Sequence, residues 1–427
     1  MNLKPRYVYL CKNTFIFSYE GFKEIRKLFF EILHYFNVFD CYTDKVLFNK
    51  NEYESDELLI FIKRIDEARA SNKNGKFTKQ DIEHIISDVV LLLKNKLEDF
   101  TFYYNLQVFE DDFESFYIGK NEILKPNIAI ERMKTMISAS LYSCDEDFFK
   151  EKNSYDVESC FSDGDWVISV PVCNVARSVA SKVADKNFKV LQAFFWLYIC
   201  SEKYVKHRKF SLNIDFIHSK NNFSVVHNKN LRIKHKLNWV NDFLMFIDCN
   251  IFIVDLINRM SSSEKLTLLQ SKIINSLLWF YDAIIENDDA QAIIKYVIAT
   301  ESIVNFEKGN ETSKFKERVF FLTLCCNDRK YTKSDIANIY DLRSRIVHDF
   351  RILTDGNRDR SLAFSICRDT IFSFILMSGA SLNNDIDSST AEKKITAYVE
   401  RMKILYAEFE LSGLHSCEFH AFVERQR

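Results

Sequence analysis

The sequence predicts an α+β protein, mainly α, in which a mixed α/β N-terminal region precedes a C-terminal antiparallel helical bundle. Three observations carry that expectation. Only 8 Gly and 3 Pro occur in 427 residues, so long helices meet few breakers. From Asn238 onward, apolar residues recur at spacings of three and four, the period of a helix with one buried face. Upstream, runs rich in Phe, Tyr, Ile and Val are bounded by Asn clusters, which is a strand-and-turn pattern. Hydrophobic residues make up 47% of the chain, ample for a core, and the length fits two or three domains.

In order, residues 21–39 form a helical face of Phe22, Ile25, Leu28, Phe29, Ile32 and Tyr35. Residues 55–70 and 79–98 give further helices, the second with a wide stripe from Ile82 to Leu93. Residues 101–109 read as a strand. Residues 144–165 hold eight acids against Lys150 and Lys152, the signature of a surface connection. Residues 166–172 read as a strand and 175–200 as a helix. Residues 210–217, 223–227 and 231–236 read as short strands, with turns at Asn221-Asn222 and at 228–230.

The bundle follows. Residues 261–264 (Ser-Ser-Ser-Glu) cap a helix bearing Leu266, Leu269, Ile273, Leu277, Phe280 and Ile284. Asp288 or Asp289 caps the next, with Ala290, Ile294, Val297, Glu301 and Val304 on one stripe. A third carries Phe315, Val319, Leu322 and Cys326. A fourth begins at the capping pair Thr332 and Asp335. Residues 358–377 and 390–410 complete six helices, and their short loops imply antiparallel neighbours. Three regions result: 1–160, mixed α/β and regulatory or sensing; 161–240, basic and β-rich with one long helix; 241–427, the bundle.

Formal net charge is -2, so no global basic field advertises nucleic-acid binding and any such site is local. Residues 201–236 are the one basic section, with nine Lys/Arg against Glu202 and Asp215. Lys206, Arg208, Lys209, Arg232 and Lys234, with Tyr204, Phe210, Phe216 and Phe223 between them, have the makings of a single-stranded RNA surface. A strand edge protected by lysines produces the same alternation and is the simpler account. The 11 Cys include no C-x-x-C pair, which fits buried thiols in a reducing cytoplasm. No apolar leader opens the chain. The most apolar stretches, 193–200 and 243–257, are too short or too interrupted to span a bilayer.

No Walker A loop, G-x-G-x-x-G, H-E-x-x-H or G-x-S-x-G is present. His415, Cys417 and His420 offer three ligands without a fourth and read as an ordinary tail. The expectation is chemistry without metal or cofactor.

What remains is a charge out of place. Arg343 lies on the stripe of the fourth bundle helix, four after Ile339 and four before Val347, and Glu301 lies on the second helix's stripe. An ion in a bundle interior needs a partner, so Glu301 is expected to meet Arg343, or else Arg318 on the third helix. A purely structural pair pinning helix register accounts for both and leaves His348 as a helix-end histidine beside the dipole. A functional account uses His348. Histidine moves protons near neutral pH, and arginine neutralises charge on a phosphorane. Five residues separate Arg343 from His348, about 140° on an ideal helix. They meet only if the helix distorts, the Arg side chain reaches round, or a second subunit completes the site. Ser344 shares a face with His348. Arg345 has Asp341 and Asp349 at ion-pair spacing.

Residues 270–380 resemble the Apea-like HEPN domains of bacterial defence and toxin proteins. The matching pieces are Ser276-Leu-Leu-Trp-Phe-Tyr-Asp-Ala283, Val297-Ile-Ala-Thr-Glu-Ser302, Phe315-Lys-Glu-Arg318 and Ile339-Tyr-Asp-Leu-Arg-Ser-Arg-Ile-Val-His348, in the family's order. The resemblance implies an all-helical, dimeric, metal-independent endoribonuclease with an R-x4–6-H motif at the dimer interface. Arg343 and His348 are then catalytic, Ser344 is a polar neighbour, and Glu301 positions Arg343. Asp349 stands where this subfamily often carries Gly. The implied partners are RNA, a second copy through the bundle, and a phage-derived trigger or an inhibitory partner, with no membrane. The alternative is a catalytically silent module of the same fold that mediates protein or nucleotide binding.

Overall fold

The computed structural model describes residues 8–11, 14–17, 87–88, 91, 97–106, 115–125, 127–132, 135, 166–175, 177–199, 209–219, 222–232, 239–248, 250–262, 264, 266–306, 311–326, 331–349, 356–381, 388–412, 419 and 423. These residues are α+β and mainly α. The expected helices at 21–39 and 55–70, most of that at 79–98, the acidic run 144–165, Lys206, Arg208, Lys234, His415, Cys417 and His420 lie outside them.

The chain divides into two compact units, residues 1–100 with 172–183 and residues 101–171 with 184–427. The boundaries at 160 and 240 do not coincide with this division, because 101–171 and 184–240 fall in the same unit as the bundle. In the smaller unit, β1 (Val8–Cys11) and β2 (Thr14–Phe17) form an antiparallel hairpin with Val8 opposite Phe17. Asn174 adopts φ 59°, a left-handed conformation Asn tolerates. Its N–H donates to Asp99 Oδ1 at 2.8 Å.

A six-stranded sheet runs in the order β4-β5-β6-β3-β7-β8. Its strands are β3 (Glu98–Leu106), β4 (Ser115–Ile118), β5 (Asn121–Leu124), β6 (Trp166–Val175), β7 (Lys209–Ser219) and β8 (Asn222–Arg232). The pairs β4–β5, β5–β6 and β7–β8 are antiparallel. Residues 228–230, expected as a turn, lie inside β8. Their Asn side chains interrupt the strand pattern in sequence, but the register continues through them from Lys209 opposite Arg232 to Ser219 opposite Asn222.

Of α1 (Arg177–Ile199), the part in the larger unit buries Ala184, Phe188, Leu191, Phe194 and Phe195. The Tyr104 ring stacks on Phe188 at 4.1 Å, and its hydroxyl donates to Asp185 at 2.8 Å. Burial pushes the Asp185 carboxyl above its ordinary value, and that hydrogen bond opposes the shift. Next come α2 (Trp239–Asp248) and α3 (Ile251–Ser261). Phe195 meets Phe243 of α2 at 5.1 Å, and Asn187 donates to the Met260 carbonyl of α3 at 3.1 Å.

The six expected bundle helices are α4 (Leu268–Ile284), α5 (Asp289–Val304), α6 (Glu311–Leu322), α7 (Lys333–Asp349), α8 (Gly356–Ser381) and α9 (Ser388–Leu411). Ser261 ends α3 instead of capping α4. The cap is Thr267, in a reciprocal box with Gln270, which satisfies two backbone donors at once. Asp288 caps α5, and Thr332 with Asp335 opens α7 as expected. On α5 the buried line is Ala292, Ile293, Tyr296, Ala299, Thr300 and Ile303, joined by Val297 and Val304. The expected stripe runs along its edge, with Ala290, Ile294 and Glu301 half-buried.

The apolar length from Gly356 to Ser378 has mean hydropathy 1.3, long and apolar enough to cross a membrane by length and composition. The sequence reading overlooked it in favour of 193–200 and 243–257. Here it is a core helix: Phe364 packs on Phe280 at 5.6 Å and on Tyr296 at 5.7 Å, and Ile371, Phe374 and Ile375 are buried.

The β4–β5 turn seats the sheet against α3. Gly119 has φ +58°, and a Cβ there would lie 2.8 Å from Asn258 Oδ1 and 2.9 Å from Ile257 Cγ2. Strain and close approach act together at this position. Gly119→Ala is predicted to cost about 1–3 kcal/mol, measured as a shift in the urea midpoint. An unchanged midpoint would show that the turn is free to move away from α3.

Candidate functional site

The C-terminal turn of α5 is where the charges gather. A helix ends with carbonyls that have no intrahelical donor. Here Lys272 of α4 donates to Ser302 O at 3.1 Å and Asn305 O at 2.8 Å, and Arg318 of α6 donates to Val304 O. Lys272 also lies 4.5 Å from the centre of the Phe306 ring. Burial pushes the Lys272 ammonium below its usual value, and the Glu392 charge pulls it back up.

Arg318 is 4% exposed, so its charge needs a counter-ion. Sequence reasoning offered Arg318 as an alternative partner for Glu301. Its partner is instead Glu392 of α9, held in a two-pronged contact with Nη1 to Oε2 at 3.0 Å and Nη2 to Oε1. Lys314 adds a third hydrogen bond to Glu392 Oε1 at 3.0 Å. Burial acts to raise the Glu392 carboxyl, but the hydrogen bonds from Arg318 and Lys314 outweigh it and hold the group below its ordinary value. Glu392 was missed because 74 residues separate it from Arg318. The available signal was its place beside Ala391 on the stripe that continues through Ile395, Val399 and Met402, all buried.

Arg343 reaches the same turn from α7. Its Nη2 lies 3.8 Å from Glu301 Oε2, with the two side chains 29% and 20% exposed. That separation is an ion pair and too long for a hydrogen bond. The expected pairing is therefore present, half-buried instead of interior. Arg343 Nε is buried with no hydrogen-bond partner among the described residues.

The structure does not bring His348 to Arg343. α7 runs as one helix from Lys333 to Asp349. His348 is exposed and makes no hydrogen bond or ion pair among the described residues. Val347, expected on the buried stripe, is 43% exposed, and Ile346 is buried in its place. A stripe that drifts with the helical period reaches 346 after Ile339, whereas counting in fours from Ile339 lands one residue late. Ser344 is half-buried. Arg345 does not take the Asp341 carboxylate: Lys316 of α6 does, at 2.9 Å, and Arg345 Nε reaches only the Asp341 carbonyl, at 3.4 Å.

Of the basic residues on the hairpin, Lys209 and Arg232 are directly opposed in the backbone register. Among the described residues, no group of three or more His, Cys, Asp or Glu is placed to hold a metal ion.

No family model, curated protein or solved structure matches the chain.

Glu392→Gln leaves Arg318 buried without its counter-charge and is predicted to cost about 3 kcal/mol, the lower end for breaking a buried pair. The folded carboxyl is held below its unfolded value. Its contribution is therefore complete above the unfolded value and is lost as pH falls through the folded one. Denaturant unfolding at decreasing pH should show the gap between wild type and variant narrowing on acidification. A constant gap would mean the charge is not the source.

Proposed function

We propose that the protein is an endoribonuclease that cleaves RNA by attack of the RNA's own 2′-OH, without a metal ion, in the cytoplasm and in the service of anti-phage defence or as a toxin. The observation that supports it most directly is a half-buried Arg343, paired with Glu301 at 3.8 Å, on the helix whose last turn carries an exposed His348. The guanidinium meets the non-bridging phosphate oxygens and neutralises charge as the 2′ oxygen bonds to phosphorus. The imidazole moves the proton, taking it from the 2′-OH or supplying it to the 5′ oxygen as the P–O5′ bond breaks. The products are a 2′,3′-cyclic phosphate and a 5′-OH.

Because α7 is continuous, Arg343 and His348 of one copy point about 140° apart. The reading therefore requires a homodimer through the bundle, with Arg343 of one copy facing His348 of the other. Ser344 lies between them as a polar neighbour. The basic section with Lys206, Arg208, Lys209, Arg232 and Lys234 is the place for RNA outside the site. The N-terminal region is the place for restraint or sensing, by an inhibitory partner or a phage-derived trigger.

A second reading is a helical module that binds protein or nucleotide without cleaving. It is favoured by the share Arg343 takes in the charge cluster at the α5 turn, a structural use that needs no chemistry.

The test is cleavage of total RNA in EDTA by wild type, Arg343→Ala and His348→Ala. Each substitution should lower the rate at least about 100-fold, with cyclic-phosphate ends in the wild-type products. His348→Ala should leave stability within about 0.5 kcal/mol, since the side chain is exposed, so loss of activity there reports chemistry. Unchanged cleavage by His348→Ala removes the assignment, and RNA binding without cleavage favours the second reading. A strictly monomeric active species in light scattering would contradict the composite site.

A further inference from the structure

The geometry points to Glu392, on the last helix, as a positioning residue for the Arg343–Glu301 pair, acting through Arg318 on the C-terminal turn of α5. The inference rests on the ribonuclease reading for its catalytic consequence but not for its structural one.

The path is short and each step is a contact. Glu392 is 8% exposed and Arg318 4%. Glu392 holds Arg318 at both carboxylate oxygens, and a planar fork gripped at two points has one orientation. In that orientation Arg318 Nη1 also donates to Val304 O, and Nη2 reaches Thr396 Oγ1 at 3.4 Å. Val304 is the last residue of α5, three beyond Glu301. The Asn305 N–H closes the same turn by donating to the Glu301 carbonyl at 3.1 Å. Lys272 holds it from the other side through Ser302 O and Asn305 O. Glu301 is thus the first residue of a turn whose three following carbonyl contacts come from two cations.

At 3.8 Å the Glu301–Arg343 contact is not a hydrogen bond, so no fixed donor–acceptor geometry sets it. The backbone that carries Glu301 contributes to its separation. If the Glu392 charge is removed, Arg318 has no reason to keep its fork, Val304 O loses its donor, and the turn loosens under Glu301. α9 is then more than a covering helix: it bears on the placement of Arg343 through Arg318 of α6 and the end of α5.

The experiment compares wild type, Glu392→Gln and Gly119→Ala as full-length chains. The first reading is the 15N–1H resonance of Arg343 Nε, assigned by its loss in Arg343→Lys. The second is cleavage kinetics. Glu392→Gln should shift the Nε resonance and speed its hydrogen exchange. It should lower kcat about 10–100-fold, as a small misplacement of a charged group does, with KM within about twofold. Gly119→Ala, which destabilises the chain elsewhere, should move neither. A resonance and kcat unchanged in Glu392→Gln overturn the inference, as do equal changes in Gly119→Ala, which would make the effect one of general stability. If Glu392→Gln does not fold, Glu392→Asp keeps the charge and withdraws it by one methylene, and the same two readings decide. If wild type cleaves no RNA, the ribonuclease reading fails while the resonance still decides whether Glu392 positions the pair.

Discussion

A buried helix must dispose of its last carbonyls, and in this bundle the C-terminal turn of α5 imposes that requirement on its neighbours. Ser302, Val304 and Asn305 present carbonyl oxygens at its end, with Val304 buried and Ser302 and Asn305 half-buried. Lys272 and Arg318 supply the donors, and positive charge is favoured there by the helix dipole as well. Each solution creates the next problem. A guanidinium that is 4% exposed is costly until a carboxylate meets it, so Glu392 is drawn in from α9, and Lys314 shares the same carboxylate. Four helices are tied together by the needs of one turn.

The other end of α5 is handled in the same manner, again by an arginine. Arg360 of α8 donates to Ala283 O at 3.0 Å and to Glu286 O at 2.6 Å, and its Nη1 meets Asp289 Oδ1 at 2.8 Å. It therefore satisfies the end of α4 and holds the start of α5 with one side chain. Asp289 lies so close to the start of α8 that a Cβ on Gly356 would come within 2.8 Å of its Oδ2. Helix α5 is clamped at both termini, by Arg360 at one and by Lys272 and Arg318 at the other. Glu301 sits one turn inside the second clamp, which is a rigid place from which to hold a charge.

What the sequence made legible follows the range of each interaction. Caps are local, so Asp288 and the Thr332–Asp335 box were readable, and the Glu301–Arg343 pair followed because both charges interrupted apolar stripes. The cap of α4 was misplaced by six residues because Ser261-Ser-Ser-Glu264 imitates the Thr267–Gln270 box that is used. Asn residues at 228–230 look like a turn, but pairing with β7 overrides that local preference. Glu392 was out of reach for a different reason. Nothing near it in the chain states that a buried arginine lies across the bundle, and only the packing of α9 on α6 makes the two neighbours. Likewise, the continuous β7–β8 register from Lys209 opposite Arg232 to Ser219 opposite Asn222 is a pairing that no local pattern states.

The continuity of α7 decides how far the Arg–His motif extends by itself. Arg343 turns toward α5, where Glu301 and the clamped turn restrict it, and its Nε is removed from water. His348 stands in the last turn of the helix, exposed, with exposed Val347 beside it. One residue is embedded in the architecture and the other is available to something outside the chain. Electrostatic stabilisation is most effective from a group whose position is set before the substrate arrives. Proton transfer requires a group that can approach the oxygen it serves. On the proposed ribonuclease reading, the division of burial between the two residues matches that division of tasks, and the histidine would complete a site only with the Arg343 of a second copy.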